Sequence, residues 1–382
     1  MQTLFGSTGA DFFNEANGDF LIAGGSGMDT IITGSGNDWL LGNQDSDILS
    51  GGAGIDTLVG GRWHDFLYGN QGDDILLGNE ENDTTYGGFG NDQIYGGQGY
   101  DVLFGNEGDD LIFGNEYSDV IDGGAGNDTV SFAGPRDRYI FLRDSSGRIL
   151  AIDVFGNGGD DVITNVEAFQ FTENGVAVTY EANDLPFSSA QNDIVALGDS
   201  MTNSFGASSP DKAWPALLQE WLGVDVDVIA QNGATAQQIA TQFAQRPDLW
   251  NRTVIVWLGH NGLEDQAGTL AAIASIQSMA GHNRIIVMGV QNAAHHTASS
   301  VDVPEKNHFP QTNYQRALSL NAQLAAIYGA NYLDGRIATN EASGGTDDAP
   351  NSAFLFDALH GNDRYYDFRA VMVAGEIMKR GL

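Results

Sequence analysis

The chain has 382 residues, 51 Asp plus Glu against 16 Lys plus Arg, a net charge of −35 and no cysteine. Disulfides and thiolate metal sites are therefore excluded, and so negative a surface repels nucleic acid and anionic lipid. The charge is concentrated at one end, since residues 1–130 hold 23 acidic residues and a single basic one. Such a segment either stays open or is neutralised by cations. No apolar run is long enough to span a membrane. The opening residues Met1-Gln-Thr-Leu-Phe-Gly-Ser lack the basic start and apolar core of a conventional signal peptide.

Along the first third an Asp returns every nine residues, at Asp29, Asp38, Asp47, Asp56, Asp65, Asp74, Asp83, Asp92, Asp101, Asp110, Asp119 and Asp128. Two positions after each comes an apolar residue, from Ile31 to Val130, with Thr85 as the exception. Four positions before each stands Gly or Asn, the residues that best tolerate positive φ, so each repeat reads as a tight turn and a short strand. This Gly-Gly-x-Gly-x-Asp-x-apolar-x pattern resembles the calcium-binding nonapeptide of RTX proteins. The resemblance implies an all-β parallel β-roll over residues 1–130, with two repeats per turn and calcium between successive loops. Stacked carboxylates about 4.8 Å apart would repel by ~1–4 kcal/mol per pair without cations, and Asp oxygens with Gly carbonyls suit calcium.

The two edges of such a roll differ. Two positions before the Asp, one edge has Gly36, Gly54, Gly72, Gly90, Gly108 and Gly126, whereas the other has Gly27, Asp45, Trp63, Glu81, Gly99 and Tyr117. The expectation is a strong calcium column at Asp38, Asp56, Asp74, Asp92, Asp110 and Asp128. A weaker one is expected at Asp29, Asp47, Asp65, Asp83, Asp101 and Asp119. Off-register Gly18-Asp19-Phe20-Leu21 reads as an imperfect starting repeat. Residues 131–183 lose the register and read as a β-rich cap of short strands with a hairpin at Asn174-Gly175, and 184–191 as a linker.

From 192 to 382 short apolar runs alternate with amphipathic stretches, which argues for a parallel sheet covered by helices. Strands are expected at Ile194–Gly198, 224–230, 253–258, 284–290 and just before Asp334, and helices at 211–222, 266–280, 312–328 and 364–379. The first three strands end in Gly198-Asp-Ser200, Asn232-Gly233 and Gly259-His-Asn261. Ligands bind beyond such strand ends. With Asp357-Ala-Leu-His360 near the end, this set resembles the SGNH, or GDSL-type, family of serine esterases. The resemblance implies an α/β/α three-layer, flavodoxin-like domain. It departs from the family at Gly262, Gly361 and the loosely matched Gly233 block.

Ester hydrolysis needs a nucleophile, a base and donors for the oxyanion. Ser200 would be the nucleophile, His360 the base and Asp357 its orienting acid. The backbone N–H groups of Ser200 and Gly233 and the Asn261 side-chain amide would form the oxyanion hole. Gln291–Gln311, with His295, His296 and His308, reads as a substrate-lining loop, and His260 as a crevice wall. A zinc site at His295 and His296 is the lesser alternative. No His-Glu-x-x-His occurs, so a metalloprotease is excluded on motif grounds. The expectation is a secreted, calcium-dependent serine esterase with structural calcium and no organic cofactor. Its substrate would be a lipid or acylated carbohydrate ester; export by a type I apparatus to the outside of the cell is what the RTX resemblance implies. The competing reading is a non-catalytic adhesion or matrix protein carrying a degenerate hydrolase fold.

Overall fold

Gly and Asn in the turns leave a six-residue strand between one loop and the next. In the computed structural model these strands alternate between two ten-stranded sheets that face each other. The structure describes residues 1–154, 158–173, 175–188, 192–200, 202–203, 209–258, 261, 265–282, 284–289, 311–328, 332–333, 363–380 and 382. The chain divides into two units, Met1–Ser188 and Ser189–Leu382.

In the first unit neighbouring strands are parallel and offset by two repeats, so Leu40 lies opposite Leu58 and Leu76 opposite Ile94. Every apolar ladder residue from Ile31 to Val130 is fully buried. Thr85 occupies its rung too, with a buried hydroxyl that has no hydrogen-bond partner. Phe20 sits where the register calls for Asp and is buried at the start of the roll, its amide donating to Asp38 Oδ1 at 2.7 Å. Outside, Tyr68, Tyr86 and Phe104 stack on one sheet at 5.1 and 4.8 Å between ring centres.

Beyond the repeats, Tyr139–Arg143 and Ile149–Asp153 pair antiparallel, and Ile149–Asp153 also pairs antiparallel with Asp160–Thr164. Asp160–Thr164 then lies parallel to the last repeat strand of its sheet, Val120–Ala125. Ala168–Glu173 and Val176–Glu181 form the closing hairpin. Phe132, Phe141, Phe169 and Phe171 pack together beneath it. Part of the 184–191 stretch belongs to this end of the roll: Leu185 is buried, and the Ser188 amide donates to the Phe141 carbonyl.

The second unit is built on a five-stranded parallel sheet in the order Val226–Ala230, Ile194–Gly198, Thr253–Trp257, Ile285–Met288, Tyr332–Leu333. The central strands are buried on both faces, which is why they read as unbroken apolar runs. Val195, Leu197, Val254 and Val256 pack with helices Ala236–Ala244, Gln266–Ala280 and Gln311–Tyr328. Trp257 alternates to the other face and meets Trp214 edge-on. There helix Trp214–Leu222 packs against helix Asp363–Arg380. Three layers result, α/β/α, as expected.

Helix Ala236–Ala244 is missing from the sequence reading. Its signals were available: Ala236, Ile239, Ala240 and Phe243 form one buried stripe, and Thr235 with Gln238 makes a capping box.

Candidate active site and calcium columns

The strand Ile194–Gly198 lies between Val226–Ala230 and Thr253–Trp257, with Gly198 opposite both Ala230 and Trp257. Ser200, Gly233 and Asn261 therefore follow the carboxyl ends of three adjacent strands, the crevice where parallel sheets bind ligands. Gly198 is required by close approach: a Cβ there would collide with the Thr202 side chain and lie 2.7 Å from the Trp257 carbonyl oxygen. That contact draws the chain into its turn directly after the strand. Asp199 is fully buried and Ser200 nearly so, at 6% exposure.

The Ser200 and Gly233 loops are tied together. The Asn203 amide donates to Asn232 Oδ1 at 2.8 Å, and the Gln231 N–H to the Gly198 carbonyl at 3.3 Å. Gly233 has φ +76°, and the place of its absent Cβ is open space. This leaves its loop free for another molecule to approach. The Asn261 side-chain nitrogen is shielded from solvent and donates to nothing. A buried donor without an acceptor costs ~1–3 kcal/mol, and the cost is recovered when an acceptor arrives. A cleft of about 560 Å³ adjoins this edge, lined by Thr202, Asn203, Pro210, Ala213, Ala216 and Val228. Asp357, His360, His260, His295, His296 and His308 lie outside the described residues.

In the roll the carboxylates are arranged by the backbone. Each repeat Asp turns Oδ1 to the N–H of the residue 18 positions earlier; Asp38 donates to Asp56, and Asp47 to Asp65, both at 2.8 Å. The other oxygen, Oδ2, is buried and unpartnered at all twelve positions from Asp29 to Asp128. Withdrawal from water dominates the titration of these groups. It raises Asp56 and Asp110 to about 6, and Asp65, Asp74 and Asp92 to about 7, against the lowering effect of the N–H each accepts. Burial and then the neighbouring Asp101 carboxylate take Asp83 to about 9.

Twelve orphan oxygens in two columns fit a hard cation. Among the described residues no three acidic or imidazole side chains converge, so a cation here draws its remaining ligands from backbone carbonyls, as calcium readily does. The edges differ in their turns. Gly36, Gly54, Gly72, Gly90, Gly108 and Gly126 have φ between 121° and 157°, a range closed to side chains. On the other edge Asp45, Trp63, Glu81 and Tyr117 sit at φ 72–76°, a left-handed turn that is costly for Trp and Tyr.

Sequence reasoning missed the ends of both columns. Asp161 Oδ1 accepts the Asp119 N–H at 2.9 Å, and Glu167 Oε2 accepts the Asp128 N–H at 2.9 Å. Asp161 with Ile163 and Glu167 with Phe169 keep the acid-then-apolar spacing, but an insertion hides the register.

Comparison with known proteins decides the assignment. Residues 196–368 match the GDSL-like lipase/acylhydrolase family, and five overlapping matches between 23 and 134 are to the RTX calcium-binding nonapeptide repeat. The chain is an RTX β-roll joined to a GDSL-like acylhydrolase domain. That domain makes the protein a carboxylic ester hydrolase, and the RTX repeats make it a calcium-binding one.

Among solved structures, the acylhydrolase half is similar to a lipase/acylhydrolase from Enterococcus faecalis. Identity is 18%, TM-score 0.39, covering 50% of this chain and 97% of the other. It is also similar to esterase EstA from Pseudoalteromonas sp. (17%, TM-score 0.37, 50% and 98%) and to a GDSL-like lipase from Bacteroides thetaiotaomicron (21%, TM-score 0.37, 50% and 89%). No curated protein matches the sequence. Among the described residues no helix is long and apolar enough to cross a membrane.

Proposed function

We propose that this acylhydrolase cleaves esters through a Ser200–His360–Asp357 triad. Its oxyanion hole would be made by the N–H groups of Ser200 and Gly233 and the side-chain amide of Asn261. The observation that carries this reading is Asn261: a buried amide donor with no acceptor, at the end of the strand beside the one that leads to Ser200. Ser200 Oγ attacks the acyl carbon while His360 takes its proton. The negative charge grows on the carbonyl oxygen, where the three donors receive it. His360 then returns the proton to the departing alcohol, and a water repeats the cycle on the acyl-enzyme. Asp357 holds the imidazole in the tautomer this requires.

The Asp29–Asp128 columns hold structural calcium, with carboxylate Oδ2 and loop carbonyls as ligands. When bound, the ions cancel charge that the loops cannot otherwise carry. A calcium-poor cytosol then leaves the roll open for passage through a type I exporter, and calcium outside folds it, because binding free energy becomes folding free energy. Neutral lipid esters and acylated carbohydrates are the proposed substrates.

A serine-directed fluorophosphonate is expected to label Ser200, and Ser200→Ala to lose labelling and at least ~10⁴-fold in kcat. An unlabelled wild type that hydrolyses no acyl ester, from acetyl to long chain, overturns the reading. Comparing calcium-replete culture medium with cell lysate tests export.

A further inference from the structure

Nine residues beyond the matched repeats, Gly156-Asn157-Gly158-Gly159-Asp160-Asp161-Val162-Ile163-Thr164, reproduce the spacing of the repeat: Asn four before the Asp, Gly two before it, an apolar residue two after it. In the fold residues 158–164 stand where a further coil would stand. Asp161 follows Asp119 by 42 positions instead of 18, yet accepts its N–H at 2.9 Å, and the Val162 N–H donates to the Asp119 carbonyl at 2.9 Å. The same two bonds join Asp101 to Asp119 one coil earlier, also at 2.9 Å. Ile163 lies opposite Ile121 and is fully buried, extending the ladder.

Two further observations mark this junction as a ligand site. Asp119 is 1% exposed and its Oδ2 has no partner. Asp161, 3% exposed, lies with Gly114, Asn115 and Gly158 at the polar end of a cavity of about 180 Å³ whose remaining wall includes Phe113, Phe132 and Tyr139; its volume admits an ion and its water. The Arg138 guanidinium is engaged elsewhere, held by Asp153 through both Nε and Nη2. At the other edge the column ends on Glu167, which is exposed to solvent.

We propose that Asp119 and Asp161 hold a further calcium ion, outside the matched repeats, and that this ion clasps the cap to the roll. Asp160–Thr164 is hydrogen-bonded on one side to the last repeat strand and on the other to Ile149–Asp153, which carries Tyr139–Arg143. An ion between the 114–119 loop and Asp161 fixes the strand on which the cap is built. The proposal rests on calcium being the roll's cation and adds a site and a task to it.

An anomalous difference map from crystals of the full chain grown in calcium tests it directly. The expected result is a peak about 2.3–2.6 Å from an Asp161 carboxylate oxygen. Peaks between Asp29 and Asp128 with none at Asp161 overturn the clasp alone; no peak anywhere overturns the calcium reading with it. In solution, Asp161→Asn keeps an acceptor for the Asp119 amide but removes the charge. The calcium bound per chain, by equilibrium dialysis, should fall by one. Amide exchange in 139–153 measured in calcium should rise at least tenfold, while that of strands 57–80 stays unchanged. Unaltered stoichiometry and exchange overturn the proposal. Should the variant not fold, the wild-type map decides.

Discussion

The two units bury their interiors by different means. In the acylhydrolase, residues such as Val195, Val254, Ile273 and Leu324 from strands and helices meet in one apolar core that needs no other component. In the roll, one apolar residue per repeat lines the interior, and one carboxylate per repeat is buried beside it with an oxygen unpartnered. An apolar core is favourable as built, whereas a buried charge is tolerable only when paired. The contrast predicts that one half of this chain folds on its own account and the other on condition of a cation.

The largest effect expected from this contrast is on chelation. Removing calcium at neutral pH should abolish the strand signal of residues 1–188 in far-ultraviolet circular dichroism, while the helical signal of the acylhydrolase and most of its ester hydrolysis persist. Simultaneous loss of both would break the comparison. Next comes pH in the chelated protein. The roll aspartates titrate at about 6 to 9 when folded, above the ~3.9 of an unfolded chain. The folded roll thus holds more protons. Its stability is fullest below pH 4 and is lost as pH rises through 6 to 9. The calcium-free roll, open at pH 8, should therefore regain strand signal in circular dichroism when the pH is lowered to 5, and no gain would break the comparison. With calcium the direction reverses, since protons compete for the same oxygens.

Within the acylhydrolase, Asn261→Ala should lower kcat by ~10²–10³ with little change in KM, as expected for a donor used in the transition state. It should leave calcium binding untouched. A loss confined to KM would reassign Asn261 to substrate binding. The smallest effect concerns the flawed rung of the ladder. Thr85→Val replaces a buried, unpartnered hydroxyl by a methyl group of the same shape. It should raise the stability of the calcium-loaded roll by ~1–3 kcal/mol; destabilisation would mean that Thr85 has a use in the folded roll.

How far each region could be read in advance follows from the same physics. The roll repeats one local constraint, a turn needing Gly or Asn and a rung needing an aliphatic side chain, so its period stands in the sequence. The reading stopped at Asp128 because the insertion carrying Tyr139–Asp153 displaces the next repeat, although Gly159, Asp161 and Ile163 keep the internal spacing. In the acylhydrolase, buried strands announce themselves as apolar runs ended by Gly198 or Asn232-Gly233. The short helix Ala236–Ala244 hides, because Gln237, Gln238, Thr241 and Gln242 dilute its stripe. The candidate oxyanion donors could be named from the motifs at the strand ends and the family they resemble. That Asn261 lacks an acceptor could not, since it depends on side chains from elsewhere in the fold.

The bond from each Asp amide to the carboxylate of the following coil has a consequence for the length of the molecule. Every coil offers its successor the same donor and finds the same acceptor waiting, so the stack has no preferred number of storeys. Excising residues 57–74, one full circuit, would place Asp56 against Asp92 just as it now faces Asp74. Evolution can therefore lengthen or shorten this stalk in whole circuits without redesigning either end, provided that Asp161 and Glu167 remain to close it.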